Sequence, residues 1–385
     1  VAKRIGISAD AHDNASVYTI GKVQHHLPPL ALDETSTLLE KFNRNKIKFN
    51  QQDFFLGRPA LALLSQDYDG RKATPYDDMH FYHDAGKSAY RPGLTIDKLI
   101  GHSNFKMSTM QLVLSYQEID DGVEVSCVDV ETHEKSTFRA RKLVLAAGAL
   151  SSARIVLRSN TFSSELSFLC NPYTYYPCLN PFMAGKKIME KKTGMAQLSL
   201  FHDHNKEHAD VAMASLYSYR SLFLFRLLNE IPLNYKDAKE IMRFLLSGVV
   251  IMGIHHPDKM NTNRFLRRKL NSDSITGDVF EMEFNLADDE KRKLLQREKK
   301  FTSVMRKLGY WSLKRVQPEM GASIHYAGTL PFGARENPFT LSKNGRLNGT
   351  KNIFVADSSG FTYLPAKGLT FSLMANAHRV ASEIF

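Results

Sequence analysis

Two segments near the C-terminus carry residue types that can do chemistry together. The first is His325-Tyr326-Ala327-Gly328-Thr329. The second is Asn352-Ile353-Phe354-Val355-Ala356-Asp357-Ser358-Ser359, which precedes an apolar terminal helix. Imidazole titrates near neutral pH, so an isolated histidine can take or give a proton in place. Gly328 and Thr329 beside it let a backbone approach closely. The run Ile353 to Ala356 reads as a buried strand. Its Asp-Ser-Ser ending sets an acceptor and two small hydroxyls at a strand's carboxyl edge, where α/β sheets bind ligands. An unpaired carboxylate there would be costly, so Asp357 is expected to accept hydrogen bonds, for instance as the cap of a helix N-terminus.

The elements that position these groups can be read outward from them. Met107 to Tyr116, Gly122 to Val130 and Ser136 to Ala146 alternate in hydrophobicity and are separated by Asp120-Asp121-Gly122 and Thr132-His133-Glu134-Lys135, which predicts a β-meander. Its last strand runs into Ala146-Ala147-Gly148-Ala149, and Ser151-Ser152-Ala153 then opens a helix. A strand, a glycine turn, a serine cap and a helix N-terminus form a corner suited to anions. Further strands are expected over Met195 to His202, Asp210 to Ser218, Gly248 to His255 and Asp278 to Phe284. Helices are expected over Tyr235 to Leu246 and Asp288 to Leu308. Strands without βαβ alternation point to an antiparallel sheet with helices on one face.

Length and composition narrow the function classes. A chain of 385 residues is long enough for about two domains, and 43% apolar with 24% charged residues is ordinary for a globular protein. The balance of 51 basic and 40 acidic side chains gives +11, but no stripe concentrates it, so nucleic acid is not an expected partner. The basic runs Arg264 to Lys269 and Lys291 to Lys300 read as solvated faces. Cys127, Cys170 and Cys178 are too few for a disulfide framework and lack zinc-ligand spacing, which makes a reducing cytoplasm the default and leaves no metal site to expect. Cys170 and Cys178 flank a Pro/Tyr loop. His25-His26, His80 and His83 read as surface histidines. Residues 217 to 235 are the most aromatic stretch and read as an amphipathic helix on the sheet rather than a membrane-resting surface. Phe244 to Ile254 is too short to span a bilayer.

The order His-x-x-Gly-Thr, then Asn-Ile-Phe-Val-Ala-Asp-Ser-Ser, then Pro365 and Leu369-Thr370-Phe371-Ser372-Leu373-Met374-Ala375-Asn376-Ala377-His378-Arg379 resembles the C-terminal signature of the glucose-methanol-choline (GMC) family of FAD-dependent oxidoreductases. Arg141 to Ala153, with Ala147-Gly148, is similar to the family's second signature, although Ala153 and Ser159-Asn160 depart from it. The resemblance implies a mixed α+β and α/β fold. A Rossmann-like FAD-binding domain would take residues 101–160 and 318–385, an antiparallel-sheet substrate domain residues 161–317, and a loop-rich region, residues 1–100, would bridge them. It implies FAD as cofactor and a small-molecule alcohol or sugar as substrate. His325 would be the base that takes the hydroxyl proton while hydride passes to the flavin. Ala147, Gly148 and Ser151 would lie near the pyrophosphate, Val113 near the adenine, and Asp357 and Ser358 in the phosphate and ribityl environment. Gly368, Leu369 and Thr370, at the start of the closing helix, would lie near the pyrimidine edge.

Two departures matter. Many family members place a second His or Asn just before the closing helix; that position here is Gly368, with Lys367 adjacent as the candidate donor. His378 lies too far along the helix to replace it. From Gly6 to Gly93 there is no Gly-x-Gly-x-x-Gly, so the FAD-binding domain is expected to be incomplete at its N-terminus, with a first FAD segment preceding Val1. The alternative reading is a catalytically silent GMC-fold remnant that binds or assembles.

Overall fold

The structure is a computed structural model that describes residues 1–384 apart from 161–164, 190, 209, 219–227, 230–231, 261–262, 320 and 334–336. It combines α-helices with mainly antiparallel sheets. The chain forms two units: residues 1–96, 173–256 and 292–318 make the first, and residues 97–172, 257–291 and 319–385 the second. Most of the aromatic stretch at 217–235 lies outside the described residues.

The first unit is built on six antiparallel strands in the order Phe54–Gly57, Leu198–Asp203, Val211–Tyr217, Val249–His255, Tyr173–Leu179 and Trp311–Ser312. Side chains alternate between faces along a strand. One face, with Tyr176, Cys178, Leu198, Leu200, Ala212, Ala214, Val250, Met252 and Ile254, packs against Leu38, Phe42, Phe301, Val304 and Met305 from helices. Tyr173–Leu179 was expected as a loop because of its proline and tyrosines, yet it is a strand with strict alternation of burial. Pro177 is tolerated because its neighbour on that side is broken. The Pro177 carbonyl accepts from the Leu313 N–H, and regular pairing resumes only at the Tyr175–Val316 bridge. The donor that proline lacks therefore falls at an interruption.

Inside this unit a carboxylate is buried. Glu298 accepts from Tyr176 Oη at 2.7 Å and from Arg315 through Nε at 2.6 Å and Nη2 at 3.0 Å, with His256 Nε2 at 3.7 Å. Burial alone would push its pKa up, but the nearby His256 ring and the hydrogen bonds from Arg315 and Tyr176 outweigh it and hold the carboxyl at about 2, below its ordinary 4.5. Because the folded value is the lower one, the stabilisation is complete above the unfolded value and is lost as pH falls from about 5 towards 2. It is worth on the order of 3 kcal/mol. In urea unfolding followed against pH, Glu298→Gln is expected to be less stable at pH 7 and to show a flatter acid limb. Parallel acid limbs in the two proteins would contradict this.

The second unit contains the expected meander, Gln111–Ile119, Gly122–Asp129 and Lys135–Ala140. The expected third strand, Ser136 to Ala146, is in fact two. The chain leaves the meander at exposed Arg141-Lys142, and Leu143–Leu145 pairs in parallel with Ile353–Val355. A second correction concerns the basic run at 264–269. It lies in the strand Arg264–Leu270, which pairs with Asp278–Phe284. Arg264 is only 2% exposed, held by Asp258 and by Glu290, with its guanidinium 4.5 Å from the Phe284 ring centre. Arg267, Arg268 and Lys269 pair with Glu165, Glu281 and Asp278. Alternating acids, invisible in a local reading, neutralise the run. His80, expected at the surface, is also buried, with Nε2 2.6 Å from the Thr74 hydroxyl. All three cysteines are buried free thiols, Cys178 in the core of the first unit and Cys170 in that of the second.

Candidate active site

The second unit brings the two C-terminal segments together at the ends of its parallel strand pair. Leu143–Leu145 and Ile353–Val355 run side by side, so Ala146-Ala147-Gly148 and Ala356-Asp357-Ser358 emerge at the same edge. Gly148 takes φ 86°, a conformation that side chains disfavour, and this turns the chain into the helix Ala149–Ser159. Asp357 locks that corner. Its Oδ2 accepts from the Gly148 N–H at 2.9 Å and the Ser152 hydroxyl at 2.5 Å. Its Oδ1 accepts from the Ser359 N–H at 2.9 Å and the Ser359 hydroxyl at 2.6 Å. An ionised carboxylate offers about four lone-pair positions, and here four donors fill them. Asp357 thus works inside the protein, clamping the two signature turns to each other.

The His-x-x-Gly-Thr segment is laced to the same frame. Gly328 N–H donates to the Ser358 carbonyl at 3.1 Å and Leu330 N–H to that of Ser359 at 2.9 Å. The Thr329 hydroxyl donates to the Ala149 carbonyl at 2.8 Å, at the start of the helix. Gly328 has φ 73°, and a Cβ there would come within 2.9 Å of Leu169 and of the Phe361 carbonyl. Only glycine permits that approach.

His325 stands just before the strand Tyr326–Ala327, which pairs antiparallel with Leu169–Cys170. Its Nδ1 lies 3.0 Å from Asn171 Oδ1. Burial pushes the imidazole pKa below its ordinary value. That favours the neutral ring, the form a base requires. Asn171 itself is 2% exposed, and its Nδ2 points at the Leu364 and Pro365 carbonyls, at 3.4 and 3.3 Å. Those carbonyls lie in the chain leading to Lys367 and Gly368. Lys367 is exposed, and partial desolvation pushes its pKa down. Gly368 is exposed, Leu369 is buried, and the closing helix runs Thr370–Ile384.

The remaining sequence candidates are placed less centrally. Ser151 is exposed, and the helix is capped by Gly148 without a side-chain bond; Ser152 supplies the hydroxyl at this corner. The expected serine cap fails because the helix already starts at Ala149. Val113, half-buried, lies on the edge strand of the meander, where the register shifts between Val113 and Ser115. The helix Ala149–Ser159 lies along that strand, since Tyr116 N–H donates to the Ser159 hydroxyl at 2.8 Å. Asn171 carries no signal in the sequence as a site residue, and of the serine pair Ser151-Ser152 it is Ser152 that bonds Asp357. Among the described residues no group of three His, Cys, Asp or Glu side chains is arranged to hold a metal ion. No described helix is long and apolar enough to cross a membrane.

Comparison with known proteins adds to this geometry. Residues 274–377, which span His325, Gly328, Asp357 and Thr370, match the family model of the GMC oxidoreductase C-terminal domain, described as GMC oxidoreductase. Among solved structures, pyridoxine 4-oxidase from Mesorbium loti superposes with a TM-score of 0.59 at 14% identity, covering 93% of this chain and 72% of that one. No curated protein matches the sequence. Residues 274–377 are thus similar to the C-terminal domain of GMC oxidoreductases, and the chain is similar in fold to a solved oxidase.

Proposed function

We propose that the protein is an FAD-dependent oxidoreductase of GMC type that oxidises a CH–OH group, with His325 as the base. The observation that carries this reading is the joining of His325-x-x-Gly328-Thr329 to the Gly148 and Asp357 turns by one hydrogen-bonded frame, inside the segment that matches the family. The residues present fit FAD. A Cβ on Gly148 would meet nothing within 4 Å, so the corner faces open space. The first-turn N–H groups of the helix Ala149–Ser159 lie at that corner with the exposed Ala147, and together they suit a pyrophosphate. The meander edge near Val113 offers backbone groups for the adenine. Ser358 and the amino end of the helix Thr370–Ile384, with Gly368 and Leu369, would lie toward the ring, where the helix dipole favours negative charge.

When bound, FAD supplies the two-electron acceptor for hydride from the carbinol carbon. The chain's own part is to hold the alcohol oxygen at the imidazole of His325, which takes the hydroxyl proton, leaving a carbonyl product. Lys367 is the donor nearest in sequence to the position the family usually gives a second His or Asn. The similar solved structure is named an oxidase of pyridoxine, which accords with a CH–OH donor. Small alcohols and sugars form the substrate class to test. Mixing the flavin-loaded protein with a panel of them without oxygen should bleach the flavin with at least one. No bleaching across primary, secondary, aromatic and sugar alcohols would count against the reading.

A further inference from the structure

We propose that Asn171 fixes His325 in its Nδ1–H tautomer and thereby makes Nε2 the nitrogen that accepts the substrate proton. The catalytic half of this statement rests on the reading of His325 as base. Tyr326 faces Cys170 and Ala327 faces Leu169 across the antiparallel ladder, so one further rung sets His325 opposite Asn171. Side chains directly opposite lie about 5 Å apart at Cβ, which suits a short amide reaching an imidazole. Pro172 follows Asn171 and biases it toward extended backbone, the conformation that continues the rung.

The amide has two unlike ends, and its surroundings decide which faces the ring. Nδ2 meets two carbonyl oxygens, those of Leu364 and Pro365. Turning the amide over would set Oδ1 against two acceptors in a site only 2% exposed, where repulsion is not relieved by water. The carbonyls therefore orient Oδ1 toward His325. Oδ1 can only accept, so the imidazole nitrogen 3.0 Å away must carry the hydrogen. A neutral imidazole carries one ring proton, which leaves the lone pair on Nε2. The clamp also ties the histidine to residues 364–365, so one amide holds the base and the approach to Lys367 in fixed relation. Asn171 is a positioning residue, acting through His325.

The test uses the full chain with 15N-labelled histidine. Two-bond 15N–1H correlation spectra distinguish the tautomers, and His325 is identified by the signal lost in His325→Gln. The wild type should show Nδ1–H at His325. Asn171→Leu, of similar shape without the acceptor, should shift His325 toward Nε2–H, and Asn171→Gln, which keeps the amide's acceptor and donor, should keep Nδ1–H. In flavin-loaded protein, kcat should fall at least about tenfold in Asn171→Leu with KM little changed, and recover in Asn171→Gln. An Nε2–H signal in the wild type, or an unchanged tautomer in folded Asn171→Leu, overturns the proposal. Should the leucine variant fail to fold, the wild-type and glutamine spectra still decide. The tautomer is read without flavin or substrate, so the expected spectra in a protein that oxidises no alcohol would uphold the clamp and refute the enzymatic reading.

Discussion

His325→Gln should slow reduction of the bound flavin by alcohol by about 100- to 10,000-fold, the range a positioned base contributes, while leaving the protein's colour intact. Glutamine is close in size and keeps polar atoms for Asn171, 3.0 Å from the native ring. It has no basic nitrogen at neutral pH. The loss is therefore expected in the chemical step rather than in folding or cofactor retention, and stopped-flow absorbance without oxygen reads it directly. The native rate should also rise with pH through a value below the ordinary 6.5 of histidine, since burial lowers the His325 pKa, and then level off. A change in rate of less than about threefold in His325→Gln would remove the histidine from the base's role.

The second large effect concerns Asp357. Asp357→Ala deletes four hydrogen bonds at a residue 8% exposed and leaves the Gly148 N–H, the Ser152 hydroxyl and both Ser359 donors without their acceptor. Each unsatisfied buried donor costs about 1–3 kcal/mol, less what local rearrangement recovers. A net loss of about 3–5 kcal/mol is expected in chemical unfolding, with weaker flavin retention because the Gly148 corner is no longer held. Asp357→Asn should lose about half as much, since one carboxylate oxygen becomes an –NH₂ and only the donors at that oxygen go unpaired. Equal stability of the alanine variant and the wild type would show that the turns hold without the carboxylate.

The sequence was most readable where chemistry and periodicity are local. The strand at Asp278–Phe284 and the helix at Tyr235–Leu245 follow side-chain spacing closely. The closing helix starts where Gly368-Leu369-Thr370 ends the loop. The two C-terminal segments stood out because their order and spacing resemble the GMC C-terminal signature. Other features depend on partners distant in the chain. Asn171 lies 154 residues from His325 and acquires its role only through the short Leu169–Cys170 ladder. Arg264 looks solvated until Asp258 and Glu290 fold around it. Tyr173–Leu179 hides its strand behind Pro177, which is tolerated only because the neighbouring strand is interrupted there. Asp357 was expected to accept hydrogen bonds; that its donors would be Gly148 and Ser152, over 200 residues earlier, needed the parallel strand pair to be seen.

The most direct test of the account is the visible absorption spectrum of the purified full-length protein, recorded before and after addition of alcohol without oxygen. A yellow protein with a bound-flavin spectrum that bleaches as alcohol is oxidised is expected. A colourless protein that takes up no FAD when it is supplied would contradict it.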